Sequence, residues 1–323
     1  MRVLITGSSG QIGTNLALYL LERDHSVFGI DIRSNPWTDA FPTLLQDLSV
    51  RYSDFSQGIG HIAYPENLDV VVHFAAHAKV HDLVKQPDRA LENITMTFNV
   101  LEFCRQHNLP IILSSTREVY GDIRHYITEE SHADFVFTES PYSASKIASE
   151  ALVYSYARCY DLKYLIFRFS NVYGRYDNDI ERMLRVVPYF TRQIHRREPI
   201  PVYGEDKLLD FTYIDDCIDG VVRGIDLLLS GTEANHTINL AYGQGSSLIA
   251  MAQHIGESFG MTPEIVIKPI RKGEITRYIA NIGKARALLG YNPQTPLPEG
   301  IRKSTQWNLE WWKAHGMEQE YLT

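Results

Sequence analysis

Cysteine is scarce in this chain: three in 323 residues, at 104, 159 and 217, odd in number and far apart. Such spacing supplies neither a disulfide framework nor a metal-binding knuckle, so a reducing, cytoplasmic setting is expected. Positive charge is also in deficit, with 31 Lys and Arg against 39 Asp and Glu and a net charge of −8. Basic clusters such as "HRRE" at 195 to 198 are short. A surface built to neutralise a phosphate backbone is therefore not expected, and nucleic acid is not an expected partner. No apolar run reaches membrane-spanning length, and "MRVLIT" lacks the basic segment, apolar core and small-residue site of an export signal. Neither membrane insertion nor secretion is expected. Internal repeats and low-complexity tracts are absent too.

What is present is apolar residue, 44% of the chain, enough to bury a sizeable core. Apolar runs of strand length alternate with segments of helical period. "RVLIT" precedes "NLALYLLERD", "SVFGID" follows, "DVVVHFA" precedes "LENITMTFNVLEFCRQ", "PIILSST" precedes "YSASKIASEALVYSYARCY", and "KYLIFRF" closes the series. This alternation predicts an α/β fold with a doubly wound parallel sheet. From about residue 171 it loosens into Pro- and Gly-punctuated pieces such as "REPIPVYGEDK", which predict a smaller domain assembled from excursions of the first. "GIRKSTQWNLEWWKAH" has the pattern of an amphipathic helix whose tryptophans pack.

The opening "RVLITGSSGQIGTNLALYLL" is a strand, a glycine turn and a helix, with Gly7, Gly10 and Gly13 spaced by three around Gln11 and Ile12. Glycine allows the tight turn and the close approach of a pyrophosphate to backbone N–H groups, and the helix N-terminus favours its charge. Asp31 ends the next strand where an acidic residue would hold a ribose diol. A 2′-phosphate would meet that carboxylate, which favours NAD, while Arg33 leaves an opening for the phosphorylated form.

"PYSASK" puts Tyr142 and Lys146 four apart at a helix start, on one face. A neighbouring ammonium stabilises a phenolate, so the pair can act as a base; a tyrosine packed on a lysine stem is the plain alternative. "SST" ends the preceding strand and offers Thr116 as a hydrogen-bonding hydroxyl.

With these pieces in place the chain resembles the extended short-chain dehydrogenase/reductase family, and within it the NAD-dependent nucleotide-sugar epimerase/dehydratase group. "TGSSGQIG", "HFAAHAKV", "SSTREVYG", "PYSASK", "RFSNVYG", "DFTYIDD" and "GYNPQTPLPEGI" fall in that group's order across almost the whole chain. The resemblance implies tightly held NAD, a nucleotide-diphosphate sugar substrate, and hydride removal from the sugar's 4-carbon with Tyr142 as base. It implies a Rossmann-type domain over 1–170, rejoined by about 212–240, and a smaller α/β substrate domain over the rest of 171–323. Gly7, Gly10, Gln11, Ile12, Gly13 and Asp31 would hold NAD, Asp54 would approach its adenine, and Tyr142 and Lys146 would reach the nicotinamide ribose. Thr116 would hold the sugar's 4-hydroxyl, Asn171 and Arg271 its diphosphate, and Tyr203 would lie near the base. A homodimer through helices near 93–107 and 142–160 is implied as well.

The chain also departs from the pattern. Leu209 in "LDF" stands where the family often has a phosphate-binding arginine, which shifts the diphosphate grip to Arg271, with Arg175 or Lys207 as further candidates. Met96 in "NITMT" stands at a usual glycine, with Asn93 kept.

"TREV" bears on the reaction. A 4,6-dehydratase needs an acid and a carboxylate directly after the threonine, and here the first is Arg117, which is always protonated and poorly suited to give up a proton. Glu118 remains as a possible base, which keeps decarboxylation and elimination open. Arg117 can hold the carboxylate of a uronate substrate, or simply pair with Glu118 and touch no substrate. The expected activity is nucleotide-sugar 4-epimerisation, on a UDP-sugar or a uronate. A decarboxylase or 4,6-dehydratase is the enzymatic alternative, and a silent NAD-binding sensor or scaffold the non-enzymatic one. His73, His77 and His81 are spaced by four but lack further ligands, so no metal is expected. Asp215 and Asp216 are expected to cap the helix that follows them and to favour its positive end.

Overall fold

In the computed structural model, residues 1–50, 67–121, 130, 138–179, 185–232 and 234–317 are described. The first half supplies strands β1 (Arg2–Thr6), β2 (Ser26–Asp31), β3 (Thr43–Leu45), β4 (Val70–His73), β5 (Ile111–Thr116) and β6 (Tyr164–Phe169). Helices α1 (Gln11–Leu21), α2 (Val80–Lys85), α3 (Asp88–His107) and α4 (Pro141–Tyr160) lie between them. Then follow β7 (Asn171–Tyr173), α5 (Val186–His195), β8 (Ile200–Tyr203), β9 (Leu208–Tyr213), α6 (Ile214–Ser230) and β10 (His236–Leu240). The last described part holds β11 (Gly245–Ser247), α7 (Leu248–Phe259), β12 (Ile265–Lys268), β13 (Arg277–Tyr278), α8 (Gly283–Leu289) and α9 (Leu297–Ala314).

Strands β10, β6, β5, β4, β1, β2 and β3 lie side by side in that order in one seven-stranded sheet. Every pairing is parallel. The expected doubly wound sheet is therefore present, with strand order reversing between β1 and β4, the place where such sheets open a ligand crevice. Successive strand residues face opposite ways, so two cores form. Val3, Ile5, Val70 and Val72 pack with Leu16 of α1 and Val221 of α6, while Leu4, Val71 and Ile111 pack with Val100 of α3 and Val153 of α4. Burial on both faces is why these strands are continuous apolar runs in the sequence.

Among the described residues, β11, β9, β13 and β7 form a smaller sheet and β12 pairs with β8. The C-terminal helix starts earlier than its apolar pattern indicated because Pro298 sits in its first turn, where a fixed φ and a missing N–H cost nothing. Trp312 is fully buried, as the packing reading required. The acidic pair lies in the first turn of α6, where its charge favours the positive end of the helix as expected, but it does not cap it. No side chain caps that helix; Asp216 accepts from the backbone N–H of Gln294 (2.8 Å) and Thr295 (2.9 Å), and Asp215 pairs with Arg175. Asp216 thus ties the loop before α9 to α6.

Candidate active site

A cavity of about 480 Å³ opens at the carboxyl ends of β1, β2, β4 and β5. One end is walled by Gly7, Gly10, Gln11, Ile12, Gly13, Asp31 and Arg33, the other by Thr116, Arg117, Glu118, Tyr142, Lys146 and Asn171. Tyr203 and Arg271 do not line it; the Arg271 guanidinium lies 3.7 Å from the Tyr203 ring centroid. Asp54 lies outside the described residues.

The glycine turn is needed sterically. Gly7 has φ +71°, and a Cβ there would sit 2.7 Å from the Ala75 backbone nitrogen; a Cβ on Gly13 would strike the Gly7 carbonyl. No side chain caps α1, so N–H groups of its first turn remain available to an anion. Both amide atoms of Gln11 and the Ser8 hydroxyl are buried without a partner among the described residues. The Asp31 carboxylate accepts from Ser9 N (2.9 Å) and Arg33 N (3.3 Å), which fixes it at the end of β2.

At the other end Ser140 and Ser143 form a reciprocal capping box that starts α4 at Pro141 and sets Tyr142 and Lys146 into the cavity wall. Burial pushes Tyr142 up to about 12, the Glu118 carboxylate adds to the rise, and a hydrogen bond with Thr116 opposes it. Burial lowers Lys146 to about 8, against the pull of Glu150. The lysine Nζ donates to Ser114 O at 3.0 Å, tying α4 to β5. Thr116 accepts from Glu118 N at 3.2 Å, which turns the chain out of β5 into a single 3-10 turn over Arg117–Tyr120. There Arg117 Nη2 meets Glu118 Oε1 at 3.0 Å. Burial raises the pKa of Glu118, with Arg117 opposing.

A model of the NAD-dependent epimerase/dehydratase family matches residues 3–241. The chain belongs to that family. Its relatives include a putative UDP-glucose 4-epimerase of Methanocaldococcus jannaschii, 27% identical over 94% of this chain and 97% of that protein. Another is a UDP-glucuronate 4-epimerase of Thermodesulfobacterium geofontis, 27% identical over 95% and 96%. Among solved structures it is similar to UDP-glucose 4-epimerase of Thermotoga maritima with UDP-glucose (TM-score 0.84, 26% identity, 96% of this chain and 99% of that one). It is equally similar in extent to UDP-glucuronic acid 4-epimerase of Bacillus cereus with UDP-glucuronic acid and NAD (TM-score 0.82, 26%, 96% and 100%).

The family's cofactor suits the residues present: a turn no side chain could occupy, an uncapped helix start, an unsatisfied buried amide on Gln11 and a carboxylate at the end of β2 fit a dinucleotide. The departures take physical form. Leu209 is buried in the main core instead of reaching the cavity. Lys207 is committed to Glu274 at 2.5 Å and Arg175 to Asp215 at 2.6 Å. Met96 lines the cavity, and Asn93 brackets the loop after β4 by bonding both the N–H and the carbonyl of His77.

The histidines have other duties. His73 is buried between Thr6 and Thr97, and burial followed by the Lys146 charge lowers it to about 3. His77 pairs with Glu92 at 2.6 Å. Among the described residues no group of three or more His, Cys, Asp or Glu is placed to hold a metal.

A buried network behind the threonine was not read from the sequence. Glu150, one turn past Lys146, takes two bonds from Arg168 (3.0 and 2.7 Å) and one from Ser115; Arg168 continues to Tyr120, and Tyr120 to Asn239. A lone carboxylate on the lysine's face of α4, in a stretch of small and apolar residues, was the available signal.

Proposed function

We propose that the protein is an NAD-dependent UDP-sugar 4-epimerase working through a transient 4-keto sugar. Bound NAD supplies the hydride acceptor and a positive charge that favours the phenolate. Tyr142 takes the proton of the 4-hydroxyl, Thr116 holds that oxygen, and Lys146 adds positive charge beside them. Once the keto sugar has turned its other face, the 4-carbon takes the hydride back there while the same groups return the proton to the oxygen. The observation that carries this reading over elimination is the Arg117–Glu118 pair: the position that would protonate a departing hydroxyl holds an arginine already bound to the neighbouring carboxylate. Epimerisation needs no such acid.

The UDP-sugar relatives support the nucleotide. In this reading residues 1–170 with 212–240 carry NAD, and the rest of 171–323 carries the sugar nucleotide, its diphosphate by Asn171 and Arg271 and its base near Tyr203. The enzyme is read as a cytoplasmic homodimer through α3 and α4, where Leu91 and Tyr160 remain exposed; light scattering on the NAD-loaded protein tests this.

The decisive experiment incubates NAD-loaded protein with UDP-glucose, UDP-N-acetylglucosamine, UDP-glucuronate and dTDP-glucose and analyses mass and isomer. A new isomer of unchanged mass is expected. Loss of water or carbon dioxide overturns epimerisation in favour of a lyase, and a wild type inert on the whole panel leaves the sensor reading. Tyr142→Phe is expected to abolish turnover while NAD still binds.

A further inference from the structure

The Arg117–Glu118 pair is incomplete on the side of the cavity. Their side chains are 12% and 7% exposed, and both residues line the cavity beside Thr116 and Tyr142. One bond joins Arg117 Nη2 to Glu118 Oε1, while Arg117 Nη1 and Glu118 Oε2 are buried without a partner among the described residues. A buried donor and a buried acceptor left unmet are costly, and here one of each stands in one ion pair. The charges around the pair add no further cation for a substrate carboxylate: Lys207 is held by Glu274, Glu139 and Glu274 act on Glu118 with its own sign, and Asp210, near Arg117, accepts from the backbone N–H groups of Tyr242, Gly243 and Ala280.

We propose that Arg117 and Glu118 act together as a neutral donor–acceptor pair that reads an uncharged, hydroxyl-bearing substituent on the ring carbon beside the reacting one, selecting a nucleotide hexose over the corresponding uronate. This rests on the epimerase reading, in which Thr116 and Tyr142 meet the 4-hydroxyl, so that the next residues along the wall meet a neighbouring substituent. A hydroxyl satisfies both open atoms, donating to Glu118 Oε2 and accepting from Arg117 Nη1. A carboxylate offers acceptors only. It would set its own charge against Glu118, and two carboxylates sharing a site cannot both stay ionised without a large penalty. Arg117 is thus no free cation awaiting a uronate, because its charge is already answered from within the chain.

The test measures kcat/KM for UDP-glucose and UDP-glucuronate with NAD-loaded wild type, Glu118→Gln and Arg117→Gln. Wild type is expected to prefer UDP-glucose by ~100-fold, since like-charge contact costs several kcal/mol. In Glu118→Gln the arginine loses its internal partner, and the preference should move toward the uronate by ~10-fold or more. In Arg117→Gln the Glu118 charge stands unpaired, and the preference should move further toward UDP-glucose. Opposite shifts cannot come from general loss of folding, which lowers both substrates together. Equal or better turnover of the uronate by wild type, or variants that change both substrates by one factor, overturns the inference and leaves the epimerase reading standing. If wild type with bound NAD isomerises neither sugar, nor any other sugar nucleotide, the epimerase reading falls and the inference with it.

Discussion

Arg33 and Asp179, 146 residues apart in the chain, meet at 3.0 Å at the cofactor end of the cavity. The second arm of the guanidinium donates to Ser9 O at 3.0 Å, and close by Trp37 Nε1 donates to Asn178 Oδ1 at 2.9 Å. The loop after β2 and the segment after β7 are thus joined beside Asp31. An arginine two residues past the acidic one was the sequence's opening for a 2′-phosphate; in the structure much of its charge is answered by Asp179.

Neutralising Asp179 should therefore relax the preference for NAD over NADP. In Asp179→Asn the Arg33 guanidinium loses one of its charged partners, which lowers the cost of its meeting a 2′-phosphate. NADP affinity is expected to rise on the order of tenfold, equivalent to about 1.4 kcal/mol, with NAD affinity little changed. Titration of the cofactor-stripped protein with each dinucleotide measures this. Unchanged NADP affinity would show that Asp31 alone sets the preference.

The Glu150–Arg168 pair, with side chains 0% and 3% exposed, predicts a large stability effect. Arg168→Met leaves a buried carboxylate facing Ser115 and Tyr154 without the cation bonded to it, a loss of about 3 to 5 kcal/mol. Adding Glu150→Gln to that variant should restore part of the loss by removing the stranded charge. Urea unfolding of the single and double variants reads both effects, and a single variant as stable as wild type would contradict the assignment.

Local signals made the first half legible. Strands covered on both faces are runs such as "VVVH" and "IILSS", and the glycine turn, the threonine and the Tyr142–Lys146 pair each reveal themselves within a few residues. What stayed hidden depends on segments far apart. Asp216 looks like a cap because an apolar helical pattern follows it, yet it lies inside the first turn of α6 and its partners are backbone N–H groups at 294 and 295. Arg168 is an ordinary residue of "YLIFRF" until β6 lies beside β5 and sets it against Glu150. Leu209 marks an absent arginine in the sequence, but only the fold shows that the side chain turns into the core.

His73 makes stability pH-dependent in a defined window. Burial and Lys146 lower it from 6.5 to about 3, so between those values the unfolded chain binds a proton that the folded one does not. The contribution is fully present above pH 6.5 and is lost as pH falls toward 3. Between pH 6.5 and 4.5 the loss is about 2 to 3 kcal/mol from this site. Unfolding free energies of wild type and His73→Gln across that range should differ in slope, with the variant flatter; parallel curves would contradict this account.

Glu118 also bears on the protonation of Tyr142, the proposed base. Its carboxylate is the second cause, after burial, of the rise of Tyr142 to about 12, and a negative charge beside a phenol disfavours the phenolate. Removing the charge in Glu118→Gln should lower the tyrosine pKa. Base catalysis requires the deprotonated form, so activity climbs as pH rises through that pKa, and the climb should begin at lower pH in the variant. The measurement is kcat/KM for UDP-glucose against pH, with Glu118→Asp as the charge-retaining control expected to stay near wild type. A Glu118→Gln profile that falls in height without moving along the pH axis would place Glu118 in binding alone and leave the tuning of Tyr142 to burial and Thr116.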